Sequence, residues 1–234
     1  MNAEILVERL FQQLINGNRQ GARAIIQEVR DGGWSAERCA FELYWPILNL
    51  LHQLYRADQI STISHHFATR LLRCLSDQTQ IDFECKPENG RRVLIACGDT
   101  VIDEISASLA ADLIEAGGFE VHFAGGGVAS DEILAQVGET RPDCLLLFSS
   151  AASDLPGIRQ MIDHLREVNA VPELQIVVGG GVYARAEGLA EEIGADLYIP
   201  DIPDLVRLLT TESQRRATKD QRTVGRKRRS RSAA

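Results

Sequence analysis

The first eighty residues place their apolar side chains at helical spacing. Ile5, Leu6, Leu10, Phe11 and Leu14 fall on one stripe, closed by Asn16-Gly17-Asn18. Ala22, Ile25, Ile26 and Val29 make a second stripe, stopped at Asp31-Gly32-Gly33. Ser35, followed by Glu37 and Arg38, restarts a short helix. Two more helices are predicted, Tyr44 to Tyr55 and Thr62 to Leu75. Helices of this length joined by short turns predict an antiparallel bundle over residues 1–82.

The period then changes. Residues 83–91 are polar, carry Pro87 and Gly90, and read as a linker. Beyond them, short apolar runs at 93–97, 119–123, 144–148, 174–178 and 196–199 read as strands. Between and after them, 105–116, 133–137, 155–168, 184–193 and 203–209 read as helices. Strands alternating with helices predict a parallel sheet covered on both faces, with right-handed crossovers. The fold class expected over 92–211 is therefore α/β and flavodoxin-like, with five strands in the order 2-1-3-4-5 behind an all-α helical-bundle cap. In such a sheet the ligand crevice lies at the carboxyl ends of the strands, here the loops 98–104, 149–155 and 179–185.

Composition narrows the setting. The 234 residues are 44% hydrophobic and 25% charged, ordinary for a globular chain. No apolar run approaches the roughly 20 residues that span a bilayer. The start, Met1-Asn2-Ala3-Glu4, lacks the basic and apolar pattern of a signal, so a cytoplasmic location is expected. Five scattered cysteines without a CxxC pair are expected to be reduced thiols, with Cys97 and Cys144 as small core residues. The net charge of −8 hides an asymmetry, because residues 213–234 hold nine Lys/Arg and one Asp. That stretch, with Arg226-Lys-Arg-Arg229, predicts a disordered basic tail over 212–234. Such a tail can make weak, sequence-independent contact with nucleic acid, or simply stay solvated. No helix-turn-helix or zinc-finger pattern accompanies it.

Candidate chemistry gathers at the crevice loops. Gly179-Gly180-Gly181 follows the fourth strand and would let a bulky ligand approach the backbone, or serve only as a turn. Neither it nor Gly125-Gly126-Gly127 has the dinucleotide or P-loop pattern. Ser149-Ser150 ends the third strand without a GxSxG elbow, so its hydroxyls are hydrogen-bonding groups rather than nucleophiles. Asp99, Asp103 and Glu104 follow the first strand and would either do acid–base or cation chemistry or cap the next helix. His65-His66 are adjacent on a helix and cannot both face one ligand. His122 and His164 have no ligand-type company.

Taken together these stretches resemble the B12-binding domain of methionine synthase, the corrinoid mutases, the methyltransferase corrinoid proteins and the B12 photoreceptor regulators. The matching stretches are Gly118-Phe-Glu-Val121, Pro142-Asp143, Val177-Val-Gly-Gly180 and Ile193-Gly-Ala-Asp196 with Asp201. The helical half resembles the cap that shields the upper corrin face in those proteins. Where the photoreceptor branch has Trp, nine residues and Glu-His, this chain has Tyr55, nine residues and His65-His66.

The resemblance implies cobalamin held between cap and α/β domain, with Tyr55, His66, Asp103, Ser150, Gly179 and Gly180 on the cofactor. It also exposes a departure. The family motif Asp-x-His-x-x-Gly, whose histidine takes the lower face of cobalt, is met here by Val101, Asp103 and Ser106. A second register, anchored on Gly98-Asp99, gives Asp99, Val101 and Glu104. Neither offers an imidazole, and a carboxylate is a hard, poor substitute for one. At the cobalt-binding position of the photoreceptors stands Arg56, which speaks against their light chemistry.

The expectation ranked first is a non-catalytic cobalamin sensor or regulator with an unidentified protein partner. A corrinoid carrier for methyl transfer ranks second. Haem in the same pocket, or an interaction protein without ligand, are further alternatives, and self-association through the cap stays open.

Overall fold

The computed structural model describes residues 2–218 and 221–222. The cap is built from α1 (Ala3–Ile15), α2 (Arg19–Asp31), α3 (Ala36–Cys39), α4 (Trp45–Arg56) and α5 (Thr62–Gln80). Polar caps start most of these helices. Asn2 accepts from Glu4 N, Asn18 from Gly21 N, Ser35 from Arg38 N and Ser61 from Ser64 N. Their apolar stripes meet in a core in which Leu10, Leu14, Val29, Leu43, Ile47, Leu51 and Leu72 have no exposure. Pro46 cannot donate to the carbonyl four residues before it, and the chain widens into a π turn over Ala40–Tyr44. The chain therefore stays helical from Ala36 to Arg56, where the sequence suggested a start at Tyr44. Inside the bundle the Tyr44 hydroxyl pairs with Thr79 Oγ1 at 2.7 Å.

The second half holds β1 (Arg92–Cys97), α6 (Val101–Ala116), β2 (Glu120–Gly125), α7 (Ser130–Thr140), β3 (Cys144–Phe148) and α8 (Leu155–Val168). It continues with β4 (Gln175–Gly179), α9 (Gly181–Ala184), α10 (Leu189–Ile193), β5 (Leu197–Ile199) and α11 (Leu205–Thr211). The five strands are parallel in the order 2-1-3-4-5, as expected. β3 and β4 are buried on both faces, which explains their unbroken apolar runs. One face, with Leu94, Leu145, Leu147, Ile176 and Val178, packs with Ile133, Met161 and Ile193. The other, with Val93, Ile95, Leu146 and Val177, joins α6, α11 and the cap in one continuous core. That continuity fixes the cap over the sheet.

Four local expectations need correction. Residues 83–91 are not a free linker, since Lys86 N donates to Ala116 O, Asn89 N to Gly118 O and Glu84 N to Glu37 Oε1. α6 starts at Val101 rather than Ile105, because Thr100 caps it by accepting from Asp103 N. The predicted helix over 184–193 is broken into α9 and α10 by Gly188, whose φ of 77° is left-handed. Residues 212–218 and 221–222 are not a loose tail. Ala217 N donates to Asp196 Oδ1, Gln175 Nε2 to Glu212 O, and Arg222 Nη2 to Ile193 O. The basic run 226–229, and the nucleic-acid contact expected of it, lie outside the described residues. Among the described residues no helix is long and apolar enough to cross a membrane.

Asp112 lies buried on α6, and burial, with Asp77 and Glu115 adding repulsion, pushes its carboxyl up to about 7. A folded-state value above the ordinary carboxylate range means that the fold binds this proton more tightly than the unfolded chain does. The carboxyl thus carries no penalty below about pH 4, a growing one between pH 4 and 7, and its full, constant penalty above that. Asp112→Asn should raise stability by roughly 1–3 kcal/mol at pH 8 and leave it unchanged at pH 4. Urea unfolding at the two pH values checks this, and an equal gain at both would contradict it.

Candidate functional site

The carboxyl edge of the sheet faces the cap across a cleft with two lobes. The first, of about 660 Å³, is lined by His52, Tyr55, Arg56 and His65 from the cap and by Thr100, Ile102, Ser150, Val182 and Arg185 opposite. The second, of about 550 Å³, lies between Phe41, Trp45 and Pro46 and the residues Phe148, Gly180, Ile199 and Pro200. α9 divides them, giving Gly181 and Ala184 to one lobe and Val182 to the other. Trp45 Nε1 donates to Asp201 at the edge of the second lobe and ties the cap to the loop after β5.

The glycine run owes its identity to backbone geometry. Gly180 has φ 104° and ψ 168°, a region open essentially to glycine, and a Cβ there would overlap the Ser149 carbonyl. Gly179 is buried, and its Cβ would press on the Phe148 ring at 3.0 Å. Of the two predicted glycines, Gly180 lines the cleft and Gly179 supports it from behind.

Behind the first lobe sits a buried polar hub. Asp103 is 2% exposed, and its Oδ2 accepts from Thr100 Oγ1 at 2.6 Å and from Ser150 Oγ at 2.9 Å. Ser149 Oγ donates to Asp154 Oδ2 at 2.7 Å. A Cβ on Gly98 would meet both carboxylates, at 2.6 Å from Asp154 and 2.9 Å from Asp103. Burial pushes Asp103 up to about 6, against the pull of the Thr100 and Ser150 hydroxyls. Ser150 itself lines the cleft, but Asp103 faces the hub and does not. The Asp103 carboxylate is thus occupied inside the fold. Thr100→Ala removes both a helix cap and a donor to Asp103. It should cost about 1 kcal/mol and raise the Asp103 value further, which a carboxyl NMR titration reads. An unmoved Asp103 would show that the hydroxyl is not what holds it.

The cap wall differs from expectation in one respect. His66 is exposed and pairs with Arg70 at 2.7 Å, outside the cleft lining. Successive helix residues point about 100° apart, so the packing that turns His65 inward turns His66 away. His65 is 7% exposed, stacks on Tyr55 with ring centroids 4.0 Å apart, and its Nε2 is buried without a hydrogen-bond partner. Burial, with His66 adding a smaller push, lowers its pKa.

Sequence reasoning also passed over His52, which pairs with Arg185 at 3.3 Å, while Arg185 Nη2 donates to Ser150 O at 2.5 Å. The signal was present, since His52 stands one turn before Tyr55 and Arg56 on the same face. The α/β half offers the cleft no imidazole among the described residues. His122 is exposed beside Glu120, and His164 lines a separate small cavity. The site thus has largely apolar walls, a cationic rim from Arg56 and Arg185, a glycine floor and one unsatisfied imidazole. These features suit a ligand with a broad apolar face and a few polar or anionic groups at its rim.

Two family models, each described as a B12 binding domain, match this chain over residues 91–204 and 6–76. Dimethylamine corrinoid protein 3 of Methanosarcina mazei is 28% identical over 105 residues, covering 45% of this chain and 62% of that protein. Dimethylamine corrinoid protein 1 of Methanosarcina acetivorans is also 28% identical over 105 residues, 45% of this chain and 48% of that protein. The match spans between about half and three-fifths of the length of these relatives. The solved monomethylamine corrinoid protein of Methanosarcina barkeri superposes with a TM-score of 0.78 at 15% identity, covering 88% of this chain and 98% of that one, and shows the shared fold. The haem alternative gains no support from these relatives.

Proposed function

The chain belongs to the B12-binding-domain family, and on that premise we propose that it is a corrinoid carrier for methyl transfer, serving a separate methyltransferase. The observation that carries this reading is the cleft. One chain supplies both of its walls, and the wall contributed by the cap presents a buried, unsatisfied imidazole. Relatives named as methylamine corrinoid proteins support the carrier over the sensor ranked first from sequence, and they make methylated amines the first donors to try. The sensor reading rests on the absent α/β histidine, the lack of a fused catalytic or DNA-binding pattern, and the basic tail, none of which these relatives support.

When bound, a corrinoid supplies a cobalt centre that accepts and releases methyl groups. The residues of this chain do the rest. Tyr55 and His65 cover the cap side and exclude water from it. Arg56 and Arg185 offer charge to amide oxygens or phosphate at the rim. Gly180 keeps the floor low, and the Thr100–Asp103–Ser150 hub fixes the loops that bear Ser150. Mixing the purified protein with hydroxocobalamin or methylcobalamin, followed by gel filtration and a visible spectrum, tests the proposal. About one corrinoid should be retained per chain, and methylcobalamin-loaded protein should pass its methyl group to an acceptor when a methyltransferase is added. A colourless protein fraction would end the proposal, and retention without methyl exchange would return the sensor reading to first place.

A further inference from the structure

The lining of the larger lobe carries two guanidinium groups and no carboxylate. That departs from the chain as a whole, in which 33 Asp and Glu outnumber 25 Lys and Arg. Arg56 closes α4 on the cap, and Arg185 follows α9 on the opposite wall. Arg56 has no hydrogen bond or ion pair to any described residue. Arg185 is held by Ser150 O at 2.5 Å and His52 Nε2 at 3.3 Å, neither of them an anion. The cations crowd one another. The Arg185 guanidinium is lowered from its usual range, first by burial and then by Arg56, and both arginines add to the burial that lowers His52. The carboxylate acting against them, Asp103, stands behind the wall, 2% exposed and spent on Thr100 and Ser150. Like charges brought together from two walls are unfavourable unless the occupant of the lobe responds to their field.

We propose that Arg56 and Arg185 set the redox equilibrium of a corrinoid cobalt held in this cleft, their charge favouring Co(I) over Co(II). The proposal rests on the carrier reading above and deepens it. Reduction takes one electron from a low-potential one-electron reductant and lowers the charge of the cobalt–corrin unit by one. No bond to the protein forms or breaks. Of the two states, only Co(I) has the electron pair that takes up a methyl group, so a positive field stabilises the state a carrier must reach. A guanidinium has no lone pair to offer a metal, so the arginines act at a distance and leave the cap-side face of the cobalt open. At an effective dielectric constant of about 20, a unit charge about 10 Å from the site moves such an equilibrium by about an order of magnitude.

The test uses cobinamide, a corrinoid without its own nucleotide base, so that detachment of a base adds nothing to the couple. The full chain is loaded with cobinamide, or with cobalamin if only that is retained, and titrated in a spectroelectrochemical cell with viologen mediators. The visible spectra of Co(II) and Co(I) give the ratio directly. At the midpoint potential of the unaltered protein, Arg56→Gln should lower the Co(I)/Co(II) ratio about tenfold, a shift of about 59 mV for one electron. Arg56→Lys keeps the charge and should restore most of the ratio. Arg9→Gln removes the same charge from a separate groove of the cap and should leave the ratio unmoved. If Arg56→Gln sheds the corrinoid, Arg185→Gln and Arg185→Lys take the place of the Arg56 pair. An unchanged ratio in the glutamine variant, or an equal fall in the lysine variant, overturns the proposal and leaves the carrier reading standing. An equal fall in Arg9→Gln also overturns it, since net charge rather than the lobe would then be the cause. A chain that retains neither corrinoid ends the carrier reading and this proposal together.

Discussion

Gly180→Val is expected to lose corrinoid retention together with a large part of the stability. At φ 104° and ψ 168° the residue occupies backbone space that costs a side-chain-bearing residue about 1–3 kcal/mol. A Cβ would also overlap the Ser149 carbonyl at the end of β3, where relief requires moving backbone. The moving part is the loop that carries Ser150, so the floor of the cleft and its hydroxyl shift together. The total should come to roughly 3–5 kcal/mol. Gly181→Ala is the contrast. Its Cβ would press on the far end of the Arg185 side chain at 2.9 Å and touch the His52 ring at 3.4 Å, and stability should change by less than about 1 kcal/mol. Denaturant midpoints and the visible spectrum after gel filtration report both effects. Full corrinoid retention by Gly180→Val would refute this placement of the cofactor.

A comparable loss should follow Asp196→Ala, on the opposite edge of the sheet. The Asp196 side chain has no exposure. It accepts from Ile176 N at 2.6 Å, Ala217 N at 2.6 Å and Arg166 Nη2 at 2.5 Å. Truncation leaves two amides without an acceptor and a guanidinium without its counter-ion. Each stranded buried amide costs about 1–3 kcal/mol, while the Arg166 head, 35% exposed, can turn to water. Asp196→Asn keeps one acceptor but turns an amide N–H toward a donor, and it should fall between the two. A midpoint for the alanine variant equal to that of the unaltered protein would show the carboxylate to be dispensable.

Much of the fold could be read in advance because the relevant forces are local. β3 and α8 fall where their patterns placed them, at 144–148 and 155–168. A doubly buried strand needs an unbroken apolar run, and Asn169, with φ 51°, stops the helix at its end. The start of α6 was also written in the chain, as Thr100 followed three residues later by Asp103, a capping pattern passed over in favour of the apolar stripe.

The facing of the two histidines was not legible. Spacing says that only one of His65 and His66 can turn inward, but helix rotation is set by how α5 packs on α1 and α4. The hub around Asp103 was hidden for a similar reason. Its donors come from residues 100 and 150, joined only when β1 and β3 lie side by side. The same holds for residues 212–218 and 221–222, whose composition reads as a loose tail while their carbonyl, amide and guanidinium groups meet partners 21 to 59 residues earlier in the chain.

That last segment has a practical consequence for anyone handling the protein. Glu212, Arg215 and Ala217 bond to Gln175 and Asp196, which stand at the amino ends of β4 and β5, whereas the cofactor cleft opens at the carboxyl ends. A fluorophore or surface tether attached at Thr218 therefore sits on the far side of the sheet and keeps the cleft mouth free. A shortened gene ending at residue 211 would have the opposite effect, since it strips Asp196 of one of its donors and should yield a protein that melts early while its cleft residues are all in place.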